Sequence, residues 1–271
     1  MSNTILITGS SSGIGKATAI LFAEHGWNVI ATMRTPENIA EFKDFKNICV
    51  TSLDVLDIAS INNTIQDGLK RFGKIDVLVN NAGYGAFGPL EVFDRESIIR
   101  QFNTNVIGLL DVTRSIIPHF RANHTGIIIN VSSMGGRFAF PYGTLYHGTK
   151  FAVEGISESL SFEMATIGVK VKIIEPGATN TNFAGRSLDF KNDENIEEYQ
   201  KLITKLIKMI EEVNANSVPS SVVAEKIYEA ATDGTNRLRY PATPDAETLL
   251  EKRSNESDDI FLGGFKTHFG L

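Results

Sequence analysis

Residues 4-TILITGSSSGIGKA-17 pass from an apolar, β-branched run straight into a glycine-rich turn and then into helix-forming residues. The glycines fall at Gly9, Gly13 and Gly15, a G-x-x-x-G-x-G spacing. A glycine pattern gains meaning when it sits between a strand and a helix, because the free N–H groups at a helix start face any anion held in the turn. Gly9 permits the tight turn, Gly13 lets the backbone approach a pyrophosphate, and Gly15 lets the helix lie close to the sheet. Serines at positions 10 to 12 add hydroxyl donors, of which Ser11 and Ser12 are the candidates for extra ligand contacts. The turn therefore reads as a dinucleotide cradle rather than a plain glycine turn.

Working outward, short apolar runs alternate with helix-length segments. Further strands are expected at 28-NVIATM-33, 47-NICVTSL-53, 75-IDVLVN-80, 126-GIIINVS-132 and 169-VKVKIIE-175, with a seventh near 237-RLRYPA-242. Helices are expected over 14–25, 58–72, 97–120 and 144–165. Runs that are apolar at nearly every position suit strands covered on both faces of a parallel sheet. Their alternation with helices predicts an α/β fold: a Rossmann-type doubly wound parallel sheet of about seven strands, with helices on both faces. No repeat, low-complexity tract or linker divides the chain, so one domain over 1–271 is expected. The segment 182–218 breaks the rhythm. Its middle carries a helical stripe at Leu202, Leu206 and Ile210 with Ile203 and Ile207. It reads as a substrate lid beside the carboxyl ends of the strands, where open α/β sheets bind ligands, or else as an ordinary surface helix.

The 271 residues are 42% hydrophobic and 21% charged, ordinary for a soluble globular protein. A net charge of −6 gives no general reason to bind nucleic acid or anionic lipid. The single cysteine, Cys49, cannot form an internal disulfide; it reads as a buried strand residue and suits a reducing, cytoplasmic setting. No secretory leader is visible, and no apolar run approaches the roughly 20 residues that span a bilayer, so no membrane partner is expected. The apolar tail 260–271 is expected to pack on its own domain or on a sister subunit. The five histidines lack metal-ligand spacing, and no metal is expected.

The end of the second strand bears on the cofactor. A dinucleotide turn commonly pairs with an acidic residue about 20 positions on, which reads the ribose diol. Here the sequence is 31-ATMRTPE-37, with Met33 at the acidic position and Arg34 after it. A guanidinium suits a 2′-phosphate, and no carboxylate stands there to repel it. NADP(H) is the preferred cofactor, with NAD(H) the alternative.

These residues, with others downstream, resemble the short-chain dehydrogenase/reductases, in their single-domain branch. The likeness is strong over about residues 3–180 and looser beyond. It rests on TGSSSGIG at 8–15, LDV at 53–55, NNAG at 80–83, Asn105 within 103-NTNV-106, the serine pair 132-SS-133, YHGTK at 146–150 and PGATNT at 176–181. The resemblance implies that the glycine turn, Ile14 included, holds the dinucleotide. It implies that Asp54 and Val55 flank the adenine, and that Asn81, Ala82 and Gly83 line the adenosine side and steady the central strand. Asn105 would interrupt its helix and hold a water. The family's spacing to the tyrosine selects Ser133 rather than Ser132 as the catalytic serine. Tyr146 would be the acid/base, and Lys150 would bind the nicotinamide ribose and lower the tyrosine pKa. Pro176, Gly177 and Thr181 would hold the nicotinamide. The resemblance also suggests a homodimer or homotetramer built on the helices at 98–120 and 144–165.

The chemistry follows from the residue types as well. Reducing a carbonyl needs a hydride on carbon, which a nicotinamide supplies, and a proton on oxygen. Tyr146 and Lys150 stand four residues apart on a predicted helix and so share a face. A nearby ammonium favours the phenolate, which predicts a lowered tyrosine pKa. Ser133 at a strand end suits a hydrogen bond to the substrate oxygen as charge grows there, and Asn105 with a bound water offers a path from Lys150 to solvent. His147 points about 100° away round the helix.

The expected activity is NADP(H)-dependent interconversion of a ketone or aldehyde and its alcohol. Phe138, Phe140, Tyr142 and Phe183 suggest a hydrophobic substrate, although Phe138 and Phe140 suit a core equally well. A catalytically silent dinucleotide sensor is the rival reading, and it predicts a missing catalytic group; Asn105, Ser133, Tyr146 and Lys150 are all present. An epimerase or dehydratase on the same fold would call for a larger carboxy-terminal domain.

Overall fold

The computed structural model describes residues 2–36, 39–181 and 187–271. The strands in chain order are β1 (Thr4–Ile7), β2 (Asn28–Met33), β3 (Ile48–Ser52), β4 (Val77–Asn80), β5 (Gly85–Phe87), β6 (Gly126–Val131), β7 (Val169–Glu175), β8 (Thr179–Asn180), β9 (Leu188–Phe190), β10 (Val218–Pro219) and β11 (Arg239–Pro241). Seven of them form one all-parallel sheet in the order β11-β7-β6-β4-β1-β2-β3. The chain reverses its direction of winding between β1 and β4, and that crevice at the carboxyl edge is where such sheets bind ligands. The α/β doubly wound expectation holds.

Strand alternation sends neighbouring side chains to opposite faces. Ile5, Ile7 and Val29 meet α1 (Gly13–Glu24) through Ala19 and Phe22, and meet the helix Ser220–Thr232 through Val223 and Ile227. Leu6, Ile30 and Leu78 meet α2 (Ile58–Phe72) through Ile61 and Ile65, and α4 (Gly108–Asn123) through Val112 and Ile116. Helix α2 keeps its expected bounds because both ends are marked. Asp57 accepts from the N–H groups of Ala59 and Ser60, and Gly73 closes the helix in the left-handed region at φ 81°.

Three expectations need correction. The single helix over 97–120 is instead α3 (Arg95–Phe102), a π turn at Asn103–Ile107 and α4. Cys49 lies in β3, but β3 is the edge strand of the sheet, so the thiol is only partly buried. Phe138 is 3% exposed and packs on Phe261 and Phe265 of the C-terminal helix Asp258–Phe269, so it belongs to the core beneath the tail rather than to a substrate wall. The tail does pack on its own domain.

The segment after β7 is tied to the body by two short parallel ribbons, β9 beside β5 and β10 beside β8. Between them runs the helix Glu197–Ala215, which buries Ile203 and Leu206 and leaves Ile207 exposed. Phe183, offered as a substrate contact, falls outside the described residues. Ile99, Phe102, Ile107, Phe151 and Phe162 are exposed on α3, the π turn and α5 (Thr144–Ala165), the helices on which the resemblance would build an oligomer. Among the described residues, no helix is long and apolar enough to cross a membrane.

Candidate active site

The glycine turn is fixed by close approach. A Cβ on Gly15 would stand 2.3 Å from the Gly9 carbonyl oxygen and 2.6 Å from Asn81 Nδ2. Gly9 and Gly13 occupy the left-handed region at φ 72° and 55°. The Asn81 amide donates to the carbonyls of Thr8 and Gly9, both at 3.0 Å, and Thr8 Oγ1 accepts from the N–H groups of Asn81 and Ala82. Asn81 thus stitches the turn to the end of β4. Thr8, which the sequence did not single out, is its counterpart.

Helix α1 has no acidic residue in its first turn, and its N-cap Ser12 makes no side-chain capping bond. Its positive end is therefore available to an anion. Ser11, Ser12 and Ile14 sit partly exposed around it, and Gly13 faces Thr181 across the cleft, a Cβ there falling 3.2 Å from the threonine side chain. Arg34 is exposed just past β2. Asp54 accepts from the Leu56 N–H at 3.0 Å, whereas Val55 turns its side chain inward against Gly108. A cradle that a Cβ would fill, a helix N-terminus and an exposed arginine fit a dinucleotide phosphate. Among the described residues, no group of three His, Cys, Asp or Glu is arranged to hold a metal.

The other side of the crevice carries the residues to which the resemblance assigns the chemistry. Tyr146 and Lys150 stand on α5, and facing the phenol is Ser133, which follows β6, caps a short 3-10 turn and favours the ionised phenol. Ser133 Oγ also accepts from the Gly135 N–H at 3.0 Å. Lys150 Nζ donates to the Val131 carbonyl at 2.9 Å and lies 5.8 Å from the Tyr146 ring centroid.

The expected lowering of the tyrosine pKa is not found. Burial raises the Tyr146 phenol above its ordinary value, and the Ser133 hydroxyl only partly opposes this. Burial also lowers the Lys150 ammonium to about 8. The same desolvation that raises the phenol weakens the cation meant to lower it, and that cation is already committed to a backbone carbonyl.

The π turn re-aims Asn105, as such bulges do within helices. Its Nδ2 donates to the Tyr84 carbonyl at 2.8 Å and to Thr149 Oγ1 at 3.1 Å, while Oδ1 accepts from the Tyr84 N–H. Both amide hydrogens are therefore committed to bracing the loop after β4 against α5. Gly83 lies against this amide, with room for no more than a tight Cβ at 3.1 Å.

His147, expected to point away round the helix, instead holds its ring 5.7 Å from the Tyr146 ring, and both rings meet Phe87. Its Nδ1 donates to the Gly135 carbonyl at 2.8 Å, and its Nε2 accepts from the Phe140 N–H at 3.3 Å. Those two bonds together fix one neutral tautomer, and burial lowers the imidazole pKa in the same sense. The sequence signal was the pair Gly135 and Gly143, since a Cβ at either would run into the His147 ring.

Pro176 offers its carbonyl to Ser133 Oγ at 3.4 Å. The next two residues are held from the far end of the chain: the Gly177 N–H donates to Thr243 Oγ1 at 2.9 Å, and the Ala178 N–H to Asp245 Oδ2 at 2.8 Å. Nothing in the sequence pointed to that pair. Phe87 lies 5.2 Å from the Tyr146 ring and Phe140 stacks 5.9 Å beyond it, giving the tyrosine an apolar wall. Tyr142 reaches out instead and donates to the Tyr199 carbonyl of the inserted helix at 3.2 Å.

With this geometry in hand, the comparisons with known proteins are specific. The family model described as short chain dehydrogenase matches residues 3–192. An uncharacterised oxidoreductase of Schizosaccharomyces pombe is 44% identical over 244 residues, covering 88% of this chain and all of that protein. A 3-ketodihydrosphingosine reductase of Bacteroides thetaiotaomicron is 37% identical over 260 residues, covering 95% and 94%. Among solved structures, a short-chain dehydrogenase from Streptomyces avermitilis superposes with a TM-score of 0.84 at 31% identity, covering 94% of this chain and 92% of that one. ElxO with NADP bound superposes at 0.73 and 30%, covering 89% and 98%.

Proposed function

The chain belongs to the short-chain dehydrogenase family of oxidoreductases, and from that premise we propose that it is an NADP(H)-dependent enzyme interconverting a hydrophobic ketone or aldehyde and its alcohol, with Tyr146 as acid/base. The observation that carries the reading is the juxtaposition at the carboxyl edge of the sheet of Tyr146, the Ser133 hydroxyl that favours its ionisation, and the Lys150 ammonium 5.8 Å from the Tyr146 ring centroid.

A bound nicotinamide supplies or accepts the hydride. The chain's residues do the rest. A carbonyl oxygen held between Ser133 Oγ and the Tyr146 hydroxyl would receive two hydrogen bonds that strengthen as charge develops. Because burial raises the phenol, Tyr146 carries its proton through neutral pH and is ready to give it to the oxygen. Reduction is thus the direction favoured near neutrality, and oxidation gains as pH rises. Lys150 holds positive charge beneath the phenol and presents Nζ toward the ribose side. Asn105 and His147 fix the loops that carry these groups.

NADP(H) is supported by Arg34 standing next to the position of a diol-reading acid, which Met33 occupies here, and by the NADP bound to ElxO. A hydrophobic carbonyl is supported by the Phe87–Phe140 wall and by the relative named for reducing a keto lipid.

The test is turnover of NADPH and of NADH with a panel of carbonyls by the wild type and Tyr146→Phe. Expected is NADPH oxidation with bulky apolar ketones, reduced by roughly 10²–10⁴-fold in Tyr146→Phe while NADPH still binds. Equal turnover in the two proteins, or activity confined to small polar sugars, would sink the reading.

A further inference from the structure

Tyr146, Lys150 and Glu154 stand at i, i+4 and i+8 of α5, so one helix face carries all three. Glu154 has no place in the reaction described so far, yet its side chain is only 6% exposed. Its Cγ stands 3.0 Å from the position a Gly136 Cβ would take, the same point that Ser132 Oγ approaches to 2.8 Å and the Lys150 carbonyl to 2.9 Å. Oε2 of Glu154 accepts from Arg239 Nε at 2.9 Å. Its Oε1 is buried and unpartnered among the described residues, as is Ser132 Oγ beside it.

The surrounding charges are few. On β7, Glu175 is 2% exposed, bonds Arg137 at 3.2 Å and lies 3.9 Å from Arg239 Nε. Burial, together with the Glu154 charge, pushes Glu175 up to about 7. On α5 one turn further out, Glu158 holds the outer nitrogen of Arg239 at 2.5 Å. On Lys150, burial acts to remove the proton, and the Glu154 carboxylate acts to keep it.

We propose that Glu154 is a positioning residue of the active site: a buried carboxylate, anchored from behind by Arg239, that keeps the Lys150 ammonium charged beneath Tyr146. A lysine stripped of water tends to become neutral, and a fixed negative charge nearby offsets that, beyond what the Val131 carbonyl supplies. Placing the carboxylate two turns from the phenol lets it act on the lysine without competing for the substrate's proton. The arginine on its outer oxygen explains how an acid is retained there with little solvent.

The proposal rests on the role given to Lys150 in the proposed reaction, but it is read without cofactor, substrate or turnover, so the two fail separately. The ionisation of Lys150 is followed by its ¹³Cε resonance in the full-length protein, identified by its loss in Lys150→Arg. The wild type should titrate near 8. Glu154→Gln should lower the midpoint by about one pH unit, roughly a tenfold loss of proton affinity. Glu158→Gln removes the outer partner of Arg239 and leaves Glu154 in place; its midpoint should match the wild type. An unmoved midpoint in Glu154→Gln, or an equal shift in Glu158→Gln, would overturn the proposal. Should the glutamine variant not fold, Glu154→Asp decides: its midpoint falls below the wild type if the proposal holds and stays put if it does not.

Discussion

The two sides of the crevice are built by different means. On the nucleotide side, the chain path is set by backbone meeting backbone: Gly15 has no room for a Cβ because the Gly9 carbonyl would stand 2.3 Å away. On the substrate side, the ties are side chains from remote segments. Tyr142 reaches Tyr199, Thr243 and Asp245 hold Gly177 and Ala178, and Lys205 Nζ donates to the Phe269 carbonyl at 2.6 Å. A ligand held by backbone leaves omissions in a sequence, glycines where other residues cannot stand. A ligand enclosed by side chains leaves no such mark, because any polar residue can serve if the fold brings it there.

The comparison breaks most sharply at Gly15. Gly15→Ala adds a methyl against backbone that cannot yield, an overpacking cost of about 1–3 kcal/mol. NADPH affinity, followed by fluorescence, should fall about 10–100-fold with a lower melting temperature; unchanged binding would mean that the close approach is not needed. Arg34→Gln tests the nucleotide-side contact assigned to a charged guanidinium. Loss of a charge-assisted hydrogen bond of about 1.5–3 kcal/mol should weaken NADPH by roughly tenfold or more and leave NADH nearly unaltered. Parallel weakening of both cofactors would remove Arg34 from the 2′-phosphate. The smallest effect belongs to Tyr142→Phe, which deletes one hydrogen bond of about 0.5–1.5 kcal/mol between the loop and the inserted helix. A rise of a few-fold in KM for the carbonyl, with NADPH affinity constant, would keep the two sides energetically separate; a matching loss of NADPH affinity would join them.

Much of the fold was legible. Asn28–Met33, Ile58–Phe72, Thr144–Ala165 and Val169–Glu175 keep their expected limits, because β-branched strand runs and helix-length segments between them announce themselves. The run 97–120 did not, since a π turn inserts one extra residue per turn without altering residue types. Cys49 was misread because a strand's apolar run does not say whether the strand lies at an edge. Phe138 was misread because an aromatic near a reactive tyrosine looks the same whether it faces a ligand or the C-terminal helix.

Of the site, the i, i+4 relation of Tyr146 and Lys150 was readable from spacing alone, whereas the choice of Ser133 over Ser132 came from the family resemblance. Their electrostatics were not. Whether an ammonium lowers a phenol depends on how much water each keeps, and burial is a property of the packed chain. His147 and Glu154 were passed over for the same reason, being ordinary helix residues until the strand ends and Arg239 close on them.

By itself the sequence determined the layering, the dinucleotide turn and the reactive face of one helix, because periodicity and glycine placement act over a few residues. Tertiary structure alone decided the proton affinities, the tautomer of His147, the clamp on Gly177 and the buried acid behind Lys150. Each depends on desolvation or on partners drawn from distant positions, and neither is encoded in local pattern.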